Sequence, residues 1–303
     1  MIDRKDYLMK TRLISAAVAI LILVPNIIFS GTILLPISVA LLSVLGLFEM
    51  FRCCGVHKNP LFVTPYYLFA VVSSFAIHFS AEGYFKVSLS AAFLLAVLFL
   101  MIWTYPCTIF SKGKLSVTDA STATIGALYV LAGLISLIYI RRMLPLGEYV
   151  FGLVFLGAWI TDSGAYFCGR AFGKHKLAPD ISPKKTIEGS VGGIIICILF
   201  FALYGWICEM YADSIAVSET VRANYPVLLI SAFFISMVSQ IGDLAMSLLK
   251  RHYGIKDFGK IMPGHGGAVD RFDSVFAVAI TLLICCVVAA SFSEGHLFVA
   301  VSL

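Results

Sequence analysis

The sequence predicts an all-α protein, a polytopic membrane protein with about nine transmembrane helices, on three observations. Hydrophobic residues make up 60% of its 303 residues and charged residues 13%, with a mean hydropathy of +0.97; soluble domains carry about a quarter charged residues. The apolar residues gather in runs of the ~17 to 25 residues that cross a bilayer as a helix. Lysine and arginine then fill alternate loops, as the positive-inside rule requires.

Each span follows from this pattern in turn. The first run, 13–29, follows Arg4, Lys5, Lys10 and Arg12; bulky Ile28 and Phe29 spoil a cleavage site, so it reads as a retained anchor. The second, 31–50, contains Glu49 and is followed by Arg52 and Lys58. The third, 61–80, contains His78; the fourth, 87–110, and fifth, 117–140, flank Lys112 and Lys114, with Asp119 at the start of the fifth. The sixth, 146–169, carries Asp162 and leads into Arg170, Lys174, Lys176, Lys184 and Lys185. The seventh spans 189–208, the eighth 227–249 and the ninth 272–290, and the loop joining the last two holds Lys250, Arg251, Lys256, Lys260 and Arg271. Lys86, Arg141, Arg142 and Arg222 are left for the opposite face, which predicts the N-terminus inside and the C-terminus outside.

The eight cysteines form no Cys-x-x-Cys pair and read as reduced, small apolar residues. No internal repeat is visible. The net charge of +5 suits anionic lipid heads or nucleotide phosphates, and nothing indicates a nucleic-acid fold. Residues 1–140 have few ionisable groups and read as an N-terminal transmembrane scaffold. From Trp159 onward polar residues enter the spans, and 141–303 reads as a C-terminal catalytic transmembrane region.

Ionisable groups packed beside lipid are a functional-site hypothesis by default. On the eighth span Ser236, Gln240, Asp243, Ser247 and Lys250 recur along one helical face, which suits either helix packing or a site. Asp270 and Asp273 stand one turn apart at the start of the ninth, where acids also complement the helix dipole. The eighth and ninth spans are antiparallel neighbours in sequence, so Asp243, Asp270 and Asp273 are expected at one membrane face, in an arrangement suited to Mg²⁺. The turn Pro263-Gly264-His265-Gly266-Gly267 lets backbone N–H groups approach an anion, and His265 is either a phosphate donor or a locally satisfied turn residue. A second cluster pairs Asp162 with Ser182-Pro183-Lys184-Lys185-Thr186-Ile187-Glu188, which reads as a phosphate seat or as a plain helix cap with solvated lysines.

The run Ser247-x-x-Lys250-Arg251-x-x-x-x-Lys256-Asp257-x-Gly259, followed by Pro263-x-His265-Gly266-Gly267-x-x-Asp270-Arg271-x-Asp273, closely resembles the signature of the phosphatidate cytidylyltransferases, or CDP-diacylglycerol synthases. Asp162-Ser163-Gly164-Ala165-Tyr166 and Ser182 to Thr186 are similar to that family too, so the resemblance covers roughly residues 155–280; Met262 and Ala268 are its departures. The resemblance implies that CTP and phosphatidate give CDP-diacylglycerol and pyrophosphate with Mg²⁺, a second cation being admitted. It implies catalytic roles for Asp243, Lys250, Arg251, Lys256, Asp257, His265, Asp270, Arg271 and Asp273, and metal ligation by Asp243, Asp270 and Asp273. Substrate binding would fall to Asp162, Ser182, Lys184, Lys185, Thr186, Glu188, Gly266 and Gly267. The expected setting is a bacterial inner membrane with a cytoplasmic active site. The expected partners are CTP, phosphatidate and membrane lipids, with a homodimer admitted and no nucleic acid. The competing readings are a CTP-dependent lipid kinase and an ion-coupled transporter.

Overall fold

Helices form where the apolar runs lie. The computed structural model describes residues 21–83, 89–216, 219–261, 266–292 and 295–302. Helical residues 21–28 (α1) are followed by α2 (Leu34–Cys53), α3 (Pro60–Ala81), α4 (Leu89–Phe110), α5 (Val117–Met143) and α6 (Gly147–Phe172). Then come α7 (Ile187–Ile215), α8 (Tyr225–His252) and α9 (Val269–Ala290). The eight helices α2 to α9 are long and apolar enough to cross a membrane, and the chain is an integral membrane protein. Residues 13–20 of the expected first span, 13–29, lie outside the described residues, and α7 runs on to Ile215, past its expected end at 208. A few short strands join the otherwise all-α fold. β1 (Lys176–Ala178) pairs antiparallel with β2 (Ser182–Thr186), and β3 (Glu219–Ala223) with β4 (Phe298–Ser302). All eight cysteines are unpaired.

The chain divides into two compact units, Met1–Met143 with Leu249–Phe272, and Leu144–Leu248 with Asp273–Leu303. The divisions fall inside α8 and α9, and the segment carrying most of the signature belongs with the first helices.

In the first unit a buried polar knot ties three helices. Tyr66 of α3, fully buried, hydrogen-bonds Thr124 of α5 at 2.8 Å and the Leu100 carbonyl of α4 at 3.1 Å, while Thr104 and Thr124 meet at 2.7 Å. Such interhelical bonds in a bilayer average about 0.6 kcal/mol each, so the network fixes register more than it supplies stability. At the ends of α3 and α5, Arg142 donates to the Gly31 carbonyl at 2.7 Å and to Glu82 at 3.0 Å.

In the second unit α6 and α7 pack through small residues. A Cβ at Gly193 of α7 would stand 2.9 Å from the Thr161 carbonyl of α6 and 3.1 Å from the Ala165 methyl. Lipid-embedded helices associate through such close backbone approach because water cannot drive them together. Gly193→Val is therefore expected to lower the detergent-phase melting temperature, at an overpacking cost of about 1 to 3 kcal/mol. A melting curve unchanged from the parent protein would show that the two helices have room to spare.

Candidate functional site

The signature segment is shaped in the first unit by one stop signal and two carboxylates. α8 ends where Gly254 turns left-handed at φ +65, and the Ile255 N–H returns to the Lys250 carbonyl at 2.9 Å. This leaves Lys250 on the last turn, 13% exposed, with its ammonium 2.9 Å from Asp270 Oδ1 and 5.4 Å from the centre of the Phe258 ring. Asp270 itself is 4% exposed, and its Oδ2 accepts the backbone N–H groups of Phe258 at 2.8 Å and Gly267 at 2.9 Å. One side chain thus ties together the end of α8, the loop, and the start of its own helix. Gly266, at φ +92, must be glycine for a second reason, since a Cβ there would sit 2.9 Å from Asp270 Oδ2.

The glycine turn therefore differs from an open anion nest among its described residues. Gly267 N–H is engaged by Asp270, and the next two donors, Ala268 and Val269 N–H, go to the Glu49 carboxylate of α2 at 3.1 and 2.9 Å. Gly267 makes room for the protein's own acid, because a Cβ there would land on Glu49. Arg251, Lys256, Asp257, Lys260 and Arg271 are exposed, and they give the segment a mainly cationic surface. His265 lies outside the described residues. Nearby, Tyr253 donates to Asp119 of α5 at 3.0 Å; burial first, then the Cys54 thiol beside it, pushes this phenol above its ordinary pKa, so it remains a donor.

The second unit carries the other cluster. Lys184 and Lys185 stand on β2, immediately ahead of α7, because the chain pairs with β1 before Thr186 starts the helix. Strand alternation then separates the two lysines, leaving Lys184 exposed and turning Lys185 inward. The Lys185 ammonium lies 2.6 Å from Asp243 Oδ2 of α8. Ser247 donates to Asp243 Oδ1 at 3.3 Å. Asp162 of α6 accepts from Ser274 of α9 at 3.1 Å and feels the charges of both Asp243 and Lys185. Two acids, one ammonium and two hydroxyls thus meet within this unit.

The remaining predicted residues divide by role. Thr186 caps α7, accepting the Gly189 N–H at 3.2 Å, and Glu188 accepts the Lys174 N–H at 3.0 Å and pairs with His175 Nδ1 at 2.6 Å, clamping the base of the β1–β2 hairpin. Ser182 is half-buried at the start of β2. Asp273 of α9 accepts the Ser274 N–H at 2.9 Å. The polar face of α8 makes packing contacts along part of its length and carries candidate site residues beyond them. Ser236 bonds Thr161 at 3.0 Å and Gln240 reaches the Ser190 carbonyl at 3.3 Å as packing contacts, while Asp243 and Ser247 form the site. The sequence pattern places Glu49 and Arg52 in the scaffold, although a lone acid in an apolar run, one turn from a cation, is a readable signal.

Within neither unit do the described residues gather three His, Cys, Asp or Glu side chains for a metal. The donor chemistry still fits a hard divalent cation, which favours carboxylate oxygens. Asp243 and Asp270 each hold a lysine ammonium at one oxygen, marking edges already shaped for positive charge.

Residues 10–289 match the profile described as "Cytidylyltransferase family". The phosphatidate cytidylyltransferase of Staphylococcus haemolyticus strain JCSC1435 is 34% identical over 270 residues, 89% of this chain and 96% of that protein. That of Bacillus subtilis strain 168 is 32% identical over 278 residues, covering 89% and 94%. That of Staphylococcus aureus strain COL is 34% identical over 271 residues, covering 89% and 96%.

Proposed function

The chain belongs to the cytidylyltransferase family, and on that premise we propose that it transfers the cytidylyl group of CTP to phosphatidate, giving CDP-diacylglycerol and pyrophosphate. A phosphate monoester has a second pKa of about 6, so phosphatidate is already a nucleophile at neutral pH and needs no protein base. Its oxygen attacks the α-phosphorus of CTP, and the bond from that phosphorus to the bridging oxygen of pyrophosphate breaks. The protein's task is to bring two polyanions together and to offset the charge that shifts onto the leaving group.

The carrying observation is the buried Lys250–Asp270 pair, whose aspartate also binds two loop amides, so a cation of the signature is held at a fixed point. Lys250, Arg251, Lys256, His265 and Arg271 would hold phosphates, with Asp257 orienting them, and Lys185 with Lys184 and Ser182 would take the other anionic group. Magnesium is the proposed cofactor, and Asp243, Asp270 and Asp273, the carboxylates that the family resemblance singles out, are its candidate ligands. When bound it would supply neutralising charge to the phosphates. We place the signature loop and the N-terminus on the cytoplasmic side of a bacterial inner membrane, where CTP is available, because that loop carries the dense cations.

Labelled CTP separates this reading from its rival. With purified protein, Mg²⁺ and phosphatidate, label from the α-phosphate is expected in lipid and label from the γ-phosphate is not. Transfer of γ label to diacylglycerol would establish a kinase, and no transfer of either label would overturn both enzyme readings.

A further inference from the structure

We propose that Glu49, in the middle of the apolar N-terminal helices, is a positioning residue for cytidylyl transfer, because its buried carboxylate sets the conformation of both ends of the signature loop. The inference rests on the transfer reading above, but its structural half can be tested without it.

Glu49 lies on the last turns of α2 and is 1% exposed. A carboxylate placed there needs partners, since an ionised group costs several kcal/mol to bury unless hydrogen bonds replace its water. Its partners come from far along the chain. Oε1 accepts the Ala268 N–H at 3.1 Å and Oε2 the Val269 N–H at 2.9 Å, two of the unsatisfied donors at the N-terminus of α9. The positive end of the helix dipole adds to the same attraction.

The fit is specific to this acid. Gly259 and Gly267 pass each other over the carboxylate, for a Cβ on Gly259 would lie 2.8 Å from the Gly267 Cα, and a Cβ on either glycine would strike Glu49. One helical turn further on, Arg52 donates to the Phe258 carbonyl at 2.6 Å. A single turn of α2 therefore holds Phe258 and Gly259 at one end of the loop, and Gly267, Ala268 and Val269 at the other. Asp270, which carries the Lys250 ammonium, accepts from Phe258 and Gly267 within those clamped ends. Glu49 thus acts on the chemistry through residues that touch it, not by touching substrate itself.

This role gives Glu49→Gln a distinctive outcome. Glutamine keeps the shape but turns an NH₂ toward a backbone N–H, leaving one helix-start donor unmatched. Expected is a fall in kcat of about 30-fold or more, with KM for CTP and phosphatidate within about threefold, since the lost order acts on the transition state. Hydrogen exchange of the Gly267 to Val269 amides is expected to quicken by about tenfold or more, while the amides of α3 and α5 stay protected. Glu49→Asp, which keeps the charge, should recover part of the rate. If Glu49→Gln does not fold, Gly259→Ala offers a second route, because its methyl displaces the intact carboxylate and should produce the same pair of effects. Retained kcat, or unchanged exchange at 267–269, would overturn the proposal. So would exchange rising uniformly through α3 and α5, which would make Glu49 a stability residue only. If the wild-type protein transfers no α label, the function reading fails, and the exchange result still decides whether Glu49 holds the loop.

Discussion

Asp270→Asn is expected to slow cytidylyl transfer by about a hundredfold to a thousandfold, the scale on which removal of a preorganised electrostatic group acts. The reason lies in how many groups depend on one carboxylate. Asp270 accepts from the Lys250 ammonium and from the N–H groups of Phe258 and Gly267, and asparagine offers a single acceptor oxygen. If that oxygen stays with the two amides, the new NH₂ faces an ammonium; if it turns to Lys250, two amides face a donor. Each buried group left unpaired costs about 1 to 3 kcal/mol, so the loop shifts, and Lys250 loses the anchor that fixes its charge. Transfer of α-labelled cytidylate by purified protein in lipid measures the effect, and a variant retaining a tenth of the parent rate would remove Asp270 from the proposed machinery.

Lys185→Met carries the second large effect and has a different signature. The ammonium neutralises Asp243 at 2.6 Å and also acts on Asp162, so its loss leaves two acids facing each other. Both partners of the ion pair are about one-quarter exposed, 25% and 27%, so solvent screens part of the penalty. We expect a stability loss of about 1 to 3 kcal/mol, below the 3 to 5 typical of a fully buried pair. Adding Asp243→Asn should return much of that stability by removing one of the opposed charges, while activity, down by about a hundredfold, stays lost because the proposed phosphate-binding cation and a proposed metal ligand are then both missing. Thermal melting and label transfer on the single and double variants test this. Stabilities that add independently would show that the pair is not coupled.

How far the site could be read from the sequence differed by residue. Asp162, Lys185, Asp243, Lys250 and Asp270 were singled out because charge in or beside an apolar run is costly and rarely idle. Their partners were hidden. Lys184 and Lys185 look equivalent in sequence, and only the strand that precedes α7 turns one outward and the other toward Asp243. The glycines at 266 and 267 read as room for a phosphate, yet the Gly267 amide meets Asp270, and the Ala268 and Val269 amides that follow it meet Glu49. Thr186 and Glu188, predicted to touch substrate, have structural partners that spacing does not reveal, a helix cap and a hairpin clamp. A hydrogen bond between residues more than 200 positions apart, such as that of Glu49 with Val269, leaves no trace in local spacing.

The sequence by itself determined the helices that cross the membrane, the family, and the residues rich enough in charge to form a site, because bilayer thickness and the cost of burying charge act locally along the chain. Tertiary structure decided which acid faces which base, and it joined the signature segment 249–272 to the N-terminal helices rather than to the second unit. Those choices depend on where distant backbone amides find acceptors once water is gone, a condition that only the folded chain can satisfy.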